Sequence, residues 1–315
     1  FKKVKKILMK ILICDQLNNK VLDELKQLGK CLDISSSENK EKDLLENIVD
    51  SEIVVIRSGT VLTKEILELG KMIKIIARCG VGVDNIDLEY AKQREIAVTN
   101  APSANIISVV ELTAALILNA ARKIPQADQS LKNSNWDRAS FMGIELHGKQ
   151  LGIVGFGKAG KLLSERMTSF GMKIVFYDPY IKDWKGHEQS TDLDSLLGTS
   201  DVVSVHVIKT DETKNLLSKD KLDLMKKGSI IVNTSRGGVL DEDHLFKLLQ
   251  SQYLYGAGLD VYENEPPSNT EKLKNVNITS TPHIGASTKE AQLKAGIDTV
   301  ENIKKILSGD NSVVL

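Results

Sequence analysis

The sequence predicts an α/β protein of two doubly wound parallel-sheet domains. Three observations carry that prediction. Short β-branched runs alternate with amphipathic helical patterns from end to end. The runs form two series with a long helical segment between them. The length of 315 residues exceeds one ordinary domain and suits two. Short, almost wholly apolar runs are what strands of a parallel sheet look like, because helices cover both faces and leave no solvated side.

In the first series the strand-like runs are Lys10-Ile11-Leu12-Ile13, Glu52-Ile53-Val54-Val55-Ile56, Lys74-Ile75-Ile76-Ala77 and Ile96-Ala97-Val98, with amphipathic stretches at 21–28 and 44–49. The second series runs through Leu151-Gly152-Ile153-Val154, Lys173-Ile174-Val175-Phe176, Val202-Val203-Ser204-Val205, Ile230-Ile231-Val232, Gly256-Ala257-Gly258-Leu259 and Ile278-Thr279-Ser280. Six strands with helical connections complete a doubly wound sheet. Ala101-Pro102-Ser103 opens a helical pattern over about 106–121, with Ser103 placed to cap it, and a second long pattern covers 288–307. One helix leading into the second sheet and another leading out is the pattern of an inserted domain. The expected division is therefore 1–102 and 288–315 as one domain and 103–287 as the other.

Composition excludes several classes. Forty-two basic residues balance 42 acidic ones, so broad electrostatic binding to nucleic acid or anionic membrane is not expected. The cluster Lys2, Lys3, Lys5, Lys6 is short; Lys10 interrupts the apolar run after it and no small-residue cleavage site follows, so it reads as a strand lead-in rather than a secretory signal. No run reaches the ~18 apolar residues of a membrane span. Cys14, Cys31 and Cys79 are odd in number and lack metal or redox spacing, which suits free thiols in a reducing compartment and predicts no metal. A cytoplasmic protein is expected.

Gly155-Phe156-Gly157-Lys158-Ala159-Gly160 matches G-x-G-x-x-G. Alone the motif is weak, but here it follows a strand and opens a helix with Leu162, Leu163, Met167 and Phe170 on its apolar side and Gly171 closing it. Gly155 permits the tight turn, Gly157 lets backbone amides approach a pyrophosphate, and Gly160 lets the helix pack closely on the sheet. Asp178 ends the next strand eighteen residues after Gly160 and is placed to accept from a ribose diol. A 2′-phosphate would be repelled there, so NAD is expected rather than NADP.

Ligands of open α/β sheets collect outside the carboxyl ends of the strands. Arg57, Arg78, Arg236, Glu265 and His283 all fall just after strand-like runs. Only seven of the 42 basic residues are arginine, and three of those stand at such ends, with Arg138 in the loop-like Trp136-Asp137-Arg138. A planar guanidinium fork binds carboxylate or phosphate in a bidentate way that an ammonium does not. Singly, each arginine is more often a surface ion-pair partner; their shared location gives them weight. His283, with Glu265 eighteen residues upstream, is the minimum kit for moving a proton to or from an alcohol. His147, His187, His206 and His244 read as structural.

These motifs together resemble the D-isomer-specific 2-hydroxyacid dehydrogenase family over nearly the whole chain. The resemblance rests on Arg78-Cys79-Gly80-Val81-Gly82-Val83-Asp84-Asn85-Ile86-Asp87, Asn100-Ala101-Pro102, Phe141-Met142-Gly143-Ile144-Glu145-Leu146, the glycine motif, Ser235-Arg236-Gly237-Gly238, Leu259-Asp260-Val261 with Glu265-Pro266-Pro267, and Pro282-His283-Ile284-Gly285-Ala286-Ser287-Thr288. It implies a Rossmann NAD-binding domain inserted into a flavodoxin-like substrate-binding domain. It implies that His283 is the acid/base, that Glu265 pairs with it, and that Arg236 holds the substrate carboxylate and oxygen. Gly80, Val81 and Gly82 would cradle that carboxylate. Lys158 and Ala159 would join the glycine loop at the pyrophosphate, while Thr234, Ser235, Asp260, Gly285 and Ala286 would line the nicotinamide side. Val207 also falls at the cofactor, where relatives often carry threonine, so no side-chain hydrogen bond is expected from it.

Arg57, Arg78 and Arg138 match positions used around a substrate phosphate, Arg138 from across the interface of an intertwined homodimer. The implied reaction is NAD-dependent oxidation of a phosphorylated 2-hydroxy acid. Rival readings are a relative acting on glyoxylate, hydroxypyruvate or D-lactate, and a nicotinamide-sensing corepressor that works by binding partners; fold alone does not separate the last from an enzyme. The chain ends at Asn311-Ser312-Val313-Val314-Leu315, leaving no room for a regulatory domain, so feedback through one is not expected.

Overall fold

The computed structural model describes residues 9–181, 186, 189–268 and 270–315; Lys2, Lys3, Lys5, Lys6 and His187 lie outside the described residues. The chain divides into two compact units, Phe1–Asn105 with Ala286–Leu315, and Ile106–Gly285. Among the described residues no helix is long and apolar enough to cross a membrane.

The first unit is built on a parallel sheet of β1 (Met9–Ile13), β2 (Gly29–Asp33), β3 (Ile53–Ile56), β4 (Ile75–Arg78) and β5 (Ala97–Thr99), in the order β2-β1-β3-β4-β5. This is the flavodoxin-like order, in which the winding reverses beside β1. Alternate residues of each strand enter different cores, as a period of two requires. Leu12, Val54, Ile56 and Ile76 pack on one face, and Ile11, Ile13, Val55 and Ile75 on the other. The second face is covered by the helices Asn19–Leu28 and Lys289–Leu307, each capped by a side chain: Asn18 accepts from the Lys20 amide and Thr288 from the Ala291 amide. A Cβ on Gly296 would lie 2.4 Å from a Val21 methyl, so glycine is what lets these helices approach.

The second unit holds β6 (Gln150–Val154), β7 (Lys173–Tyr177), β8 (Gln189–Ser190), β9 (Val202–Val205), β10 (Ile230–Asn233), β11 (Gly256–Leu259) and β12 (Ile278–Ser280), all parallel, in the order β12-β11-β10-β9-β6-β7-β8. The reversal between β6 and β9 is the Rossmann switch point. The helix Ile106–Arg122 packs on this sheet, and a Cβ on Gly258 would meet Leu116 at 2.8 Å.

Two strands exceed the expectation. β2 and β8 are edge strands, as β5 and β12 are, but they alone of these carry no apolar run to mark them: β2 reads Gly29-Lys30-Cys31-Leu32-Asp33 and buries only Gly29 fully, and β8 is Gln189-Ser190. Phe170 also departs from expectation. The helix after the glycine motif ends at Thr168, and Phe170 is 47% exposed in the turn that Gly171 completes with φ 77°.

Candidate active site

The glycine loop follows β6 as its sequence requires. Gly155 has φ 92°, a left-handed conformation, and a Cβ there would lie 2.7 Å from the His206 carbonyl oxygen and 3.0 Å from Val207 Cγ1. A Cβ on Gly160 would lie 2.4 Å from the Gly155 oxygen, so this glycine sets the packing of the helix Lys158–Thr168 on its own loop. Gly157 differs: it occupies the N-cap, and a Cβ there would meet no protein atom within 4 Å. The room beside it, at the positive end of a helix beginning with Lys158 and Ala159, fits a pyrophosphate.

Asp178, just beyond β7, is tied to this loop. Its Oδ2 accepts from the Phe156 amide at 2.8 Å and its Oδ1 from the Tyr180 amide at 2.9 Å. The Phe156 and Phe176 rings stack beneath, 3.9 Å between centroids. A carboxylate fixed at a strand end beside the glycine loop fits a ribose diol. These residues suit NAD on geometry alone.

Three further strand ends of the same sheet carry the residues expected to do the chemistry: Arg236 after β10, Glu265 after β11 and His283 after β12. His283 lies three residues beyond β12, and its Nδ1 is 2.7 Å from Glu265 Oε2. The other carboxylate oxygen of Glu265 accepts from the Tyr262 amide at 3.1 Å. With Nδ1 donating to a carboxylate, Nε2 is the basic nitrogen of the neutral ring. The His283 side chain is 47% exposed and open to a reactant.

His283 has φ 52°, an uncommon conformation for a residue with a Cβ. Asp260, 1% exposed, holds it there. Its Oδ1 accepts from Thr281 Oγ1 at 2.6 Å and the Ile284 amide at 2.8 Å, and its Oδ2 accepts from the Gly285 amide at 2.8 Å. In this structure Asp260 thus anchors the histidine loop.

The loop of Arg236 folds around Asn233. The Asn233 Oδ1 accepts from the Ser235 amide and hydroxyl at 3.0 and 2.8 Å, while its Nδ2 donates to the Arg236 carbonyl at 2.9 Å. Thr234 is buried and shares a 2.7 Å hydrogen bond with Thr113. A Cβ on Gly237 would fall 1.7 Å from the Tyr262 carbonyl oxygen, so the arginine loop lies flat against the turn that leads to Glu265.

The first unit presents its own strand ends. Arg57 follows β3 and Arg78 ends β4, directly paired with Ile56. Buried Asp15, just beyond β1, accepts from the Arg57 amide at 2.6 Å and from Lys40 Nζ at 2.5 Å. Asn85 Nδ2 donates to the Arg57 and Thr60 carbonyls at 2.8 and 2.6 Å. The Gly80 carbonyl accepts from the Ala101 amide at 2.8 Å and the Val81 carbonyl from Asn100 Nδ2 at 2.5 Å. In a trans peptide the N–H points opposite the C=O, so the amides of Val81 and Gly82 face away from those partners, as an anion cradle requires. Gly80 has φ 153°, and a Cβ there would collide with the Arg78 guanidinium at 1.7 Å.

Arg138 lies in the exposed stretch between the helix Ile124–Lys132 and β6. Asp15 and Asn85 were not anticipated as holders of the arginine loop; a lone polar residue straight after a strand is the signal that marks Asp15. Among the described residues no group of three or more His, Cys, Asp or Glu side chains is placed to hold a metal ion.

The chain is 44% identical over 307 residues to a D-3-phosphoglycerate dehydrogenase of Methanocaldococcus jannaschii, covering 96% of this chain and 58% of that protein. It is 45% identical over 276 residues to a hydroxypyruvate reductase of Thermotoga maritima, covering 86% of this chain and 90% of the relative. An NAD-dependent formate dehydrogenase of Staphylococcus aureus in complex with NAD superimposes with a TM-score of 0.86 at 26% identity, covering 96% of each chain. The chain therefore spans a little over half the length of the phosphoglycerate dehydrogenase it matches. Residues 114–285 match the NAD binding domain of the D-isomer specific 2-hydroxyacid dehydrogenases, and the chain belongs to that family.

Proposed function

We propose that the chain oxidises D-3-phosphoglycerate to 3-phosphohydroxypyruvate with NAD, the first step of L-serine biosynthesis. The observation that carries the reading is the His283–Glu265 pair, 2.7 Å apart at the strand ends of an NAD-binding sheet. NAD, along Gly155–Gly160 with its ribose on Asp178, supplies the hydride acceptor for C2. Neutral His283 takes the C2 hydroxyl proton on Nε2, and ionised Glu265 stabilises the imidazolium that results. Arg236 holds the substrate carboxylate and the C2 oxygen as it gains negative character. The Gly80–Gly82 amides receive the carboxylate, with Arg57 and Arg78, and Arg138 of a second subunit, around the phosphate.

Proposed with this reading are a substrate-binding domain of 1–102 and 288–315, an NAD-binding domain of 103–287, a homodimer, and a cytoplasmic location. The phosphoglycerate dehydrogenase relative and the two arginines at the ends of neighbouring strands support a phosphorylated substrate. The hydroxypyruvate reductase relative, matched over 90% of its length, favours hydroxypyruvate as the second reading.

The test is nicotinamide absorbance with D-3-phosphoglycerate and D-glycerate in parallel. Arg57→Ala is expected to lower kcat/KM for the phosphorylated acid by about 10- to 100-fold and for D-glycerate by about two-fold or less. Equal losses on both substrates would remove the phosphate reading, and preference for hydroxypyruvate over its phosphate would establish the alternative.

A further inference from the structure

The turn that carries Glu265 is gripped by two carboxylates on consecutive amides. Tyr262 N–H donates to Glu265 Oε1 at 3.1 Å, and Glu263 N–H donates to Glu242 Oε1 at 2.5 Å. Glu242 belongs to the first turn of the helix Glu242–Gln250, which Asp241 caps by accepting from the His244 amide. This helix starts a few residues after the Arg236 loop, whose Gly237 lies against the Tyr262 carbonyl. We propose that Glu242 is a positioning residue: it fixes the turn that aims Glu265 at His283, and its charge governs the pH at which that pair works. The proposal rests on the reading of His283 and Glu265 as the acid/base.

Glu242 is half-buried, and its surroundings raise its carboxyl well above the usual carboxylate range. Burial pushes its carboxyl up to about 7; the Glu263 amide pulls it back, and the charges of Glu263, Asp243 and Glu265 push it further up. Asp243 is paired with Lys272 at 2.5 Å, and Tyr262 of the same turn is raised chiefly by burial, with Glu242 contributing. Ionised, Glu242 adds negative charge behind Glu265 and favours the imidazolium form of His283. Protonated, it withdraws that support while its carbonyl oxygen can still accept from Glu263. A glutamine copies the second state at every pH.

The test compares wild type, Glu242→Gln, Glu242→Ala and His283→Ala in NAD reduction by D-3-phosphoglycerate from pH 5.5 to 9.5, with thermal melting of each; if hydroxypyruvate proves to be the substrate, the same profiles are read in reduction. In the oxidative direction the pair must be free of its proton, so Glu242→Gln is expected to move the rise of kcat/KM toward acid by about half a pH unit, with the alkaline plateau kept within about two-fold. Glu242→Ala, which lacks the acceptor, is expected to lower kcat by about ten-fold with KM within about two-fold. Superimposable profiles for wild type and Glu242→Gln would overturn the charge role, and an unchanged kcat in folded Glu242→Ala would overturn the positioning role. Should the alanine variant not fold, Glu242→Asp, whose shorter side chain draws the acceptor away from the Glu263 amide, replaces it, and an unchanged kcat there overturns the positioning role. Wild-type turnover in His283→Ala would instead sink the acid/base reading, whatever Glu242 does.

Discussion

The two units build their strand ends from different materials. In Ile106–Gly285, side chains from separate strand ends meet one another: His283 touches Glu265 directly, and the Arg236 loop packs against the turn that leads to Glu265. In the other unit the converging element is backbone. Asp15 and Asn85 hold the Arg57 loop, and Asn100 and Ala101 turn the Gly80–Val81 peptides. The difference suits the tasks proposed for them. Proton transfer needs a titratable side chain aimed to within a hydrogen bond, whereas holding an anion needs amides and guanidinium groups that keep one charge.

The sharpest way to break the comparison is to remove the proposed proton carrier. His283→Ala is expected to lower kcat by about a thousand-fold or more while KM changes by about three-fold or less, because the groups proposed to hold the anion remain. Stopped-flow or steady-state nicotinamide absorbance measures both. A loss spread equally over kcat and KM would show that the histidine binds substrate rather than moving its proton.

A gentler change probes the packing behind the pair. In Gly237→Ala the new methyl would fall 1.7 Å from the Tyr262 carbonyl oxygen, a backbone atom that cannot rotate aside. The arginine loop and the Glu265 turn must separate, so kcat is expected to fall by about 10- to 100-fold with NAD affinity kept. Titrating NAD by fluorescence alongside turnover separates the two. Unchanged turnover would mean that the loops tolerate the separation and that their packing does not set the geometry.

Much of this was legible in the sequence, and the reason is physical. Strands buried on both faces write themselves as apolar runs, so the central strands stood out, and with them the candidate residues at their ends. The glycine motif was readable for the same reason, because Gly155 and Gly160 are positions where a Cβ meets backbone. Edge strands β2 and β8 were silent, since Gly29-Lys30-Cys31-Leu32-Asp33 and Gln189-Ser190 hold no apolar run. Asp260 illustrates another limit. Its place in a motif suggested a contact to the cofactor, but its three hydrogen bonds to the histidine loop depend on a buried geometry that spacing does not encode. Glu242 was invisible too, because an acidic residue in the first turn of a helix is ordinary, and only the fold brings the Glu263 amide to it.

The smallest expected effect concerns stability and separates the units by pH. His206, after β9, has Nε2 within 2.8 Å of Ser204 Oγ, and burial lowers its pKa from 6.5 to about 4. A depressed histidine stabilises the folded state above its unfolded pKa and loses that contribution as pH falls toward the folded value. Between pH 7.5 and 5 the unit Ile106–Gly285 should therefore lose about 1–2 kcal/mol through this ring alone. His206→Gln removes the titration and keeps a polar partner for Ser204. The variant is expected to be less stable than wild type at pH 7.5 and to close most of that gap at pH 5, as read by urea unfolding at the two pH values. A gap that stays constant would mean that the ring is protonated as easily folded as unfolded, and the acid sensitivity of this unit would then have to come from its carboxylates.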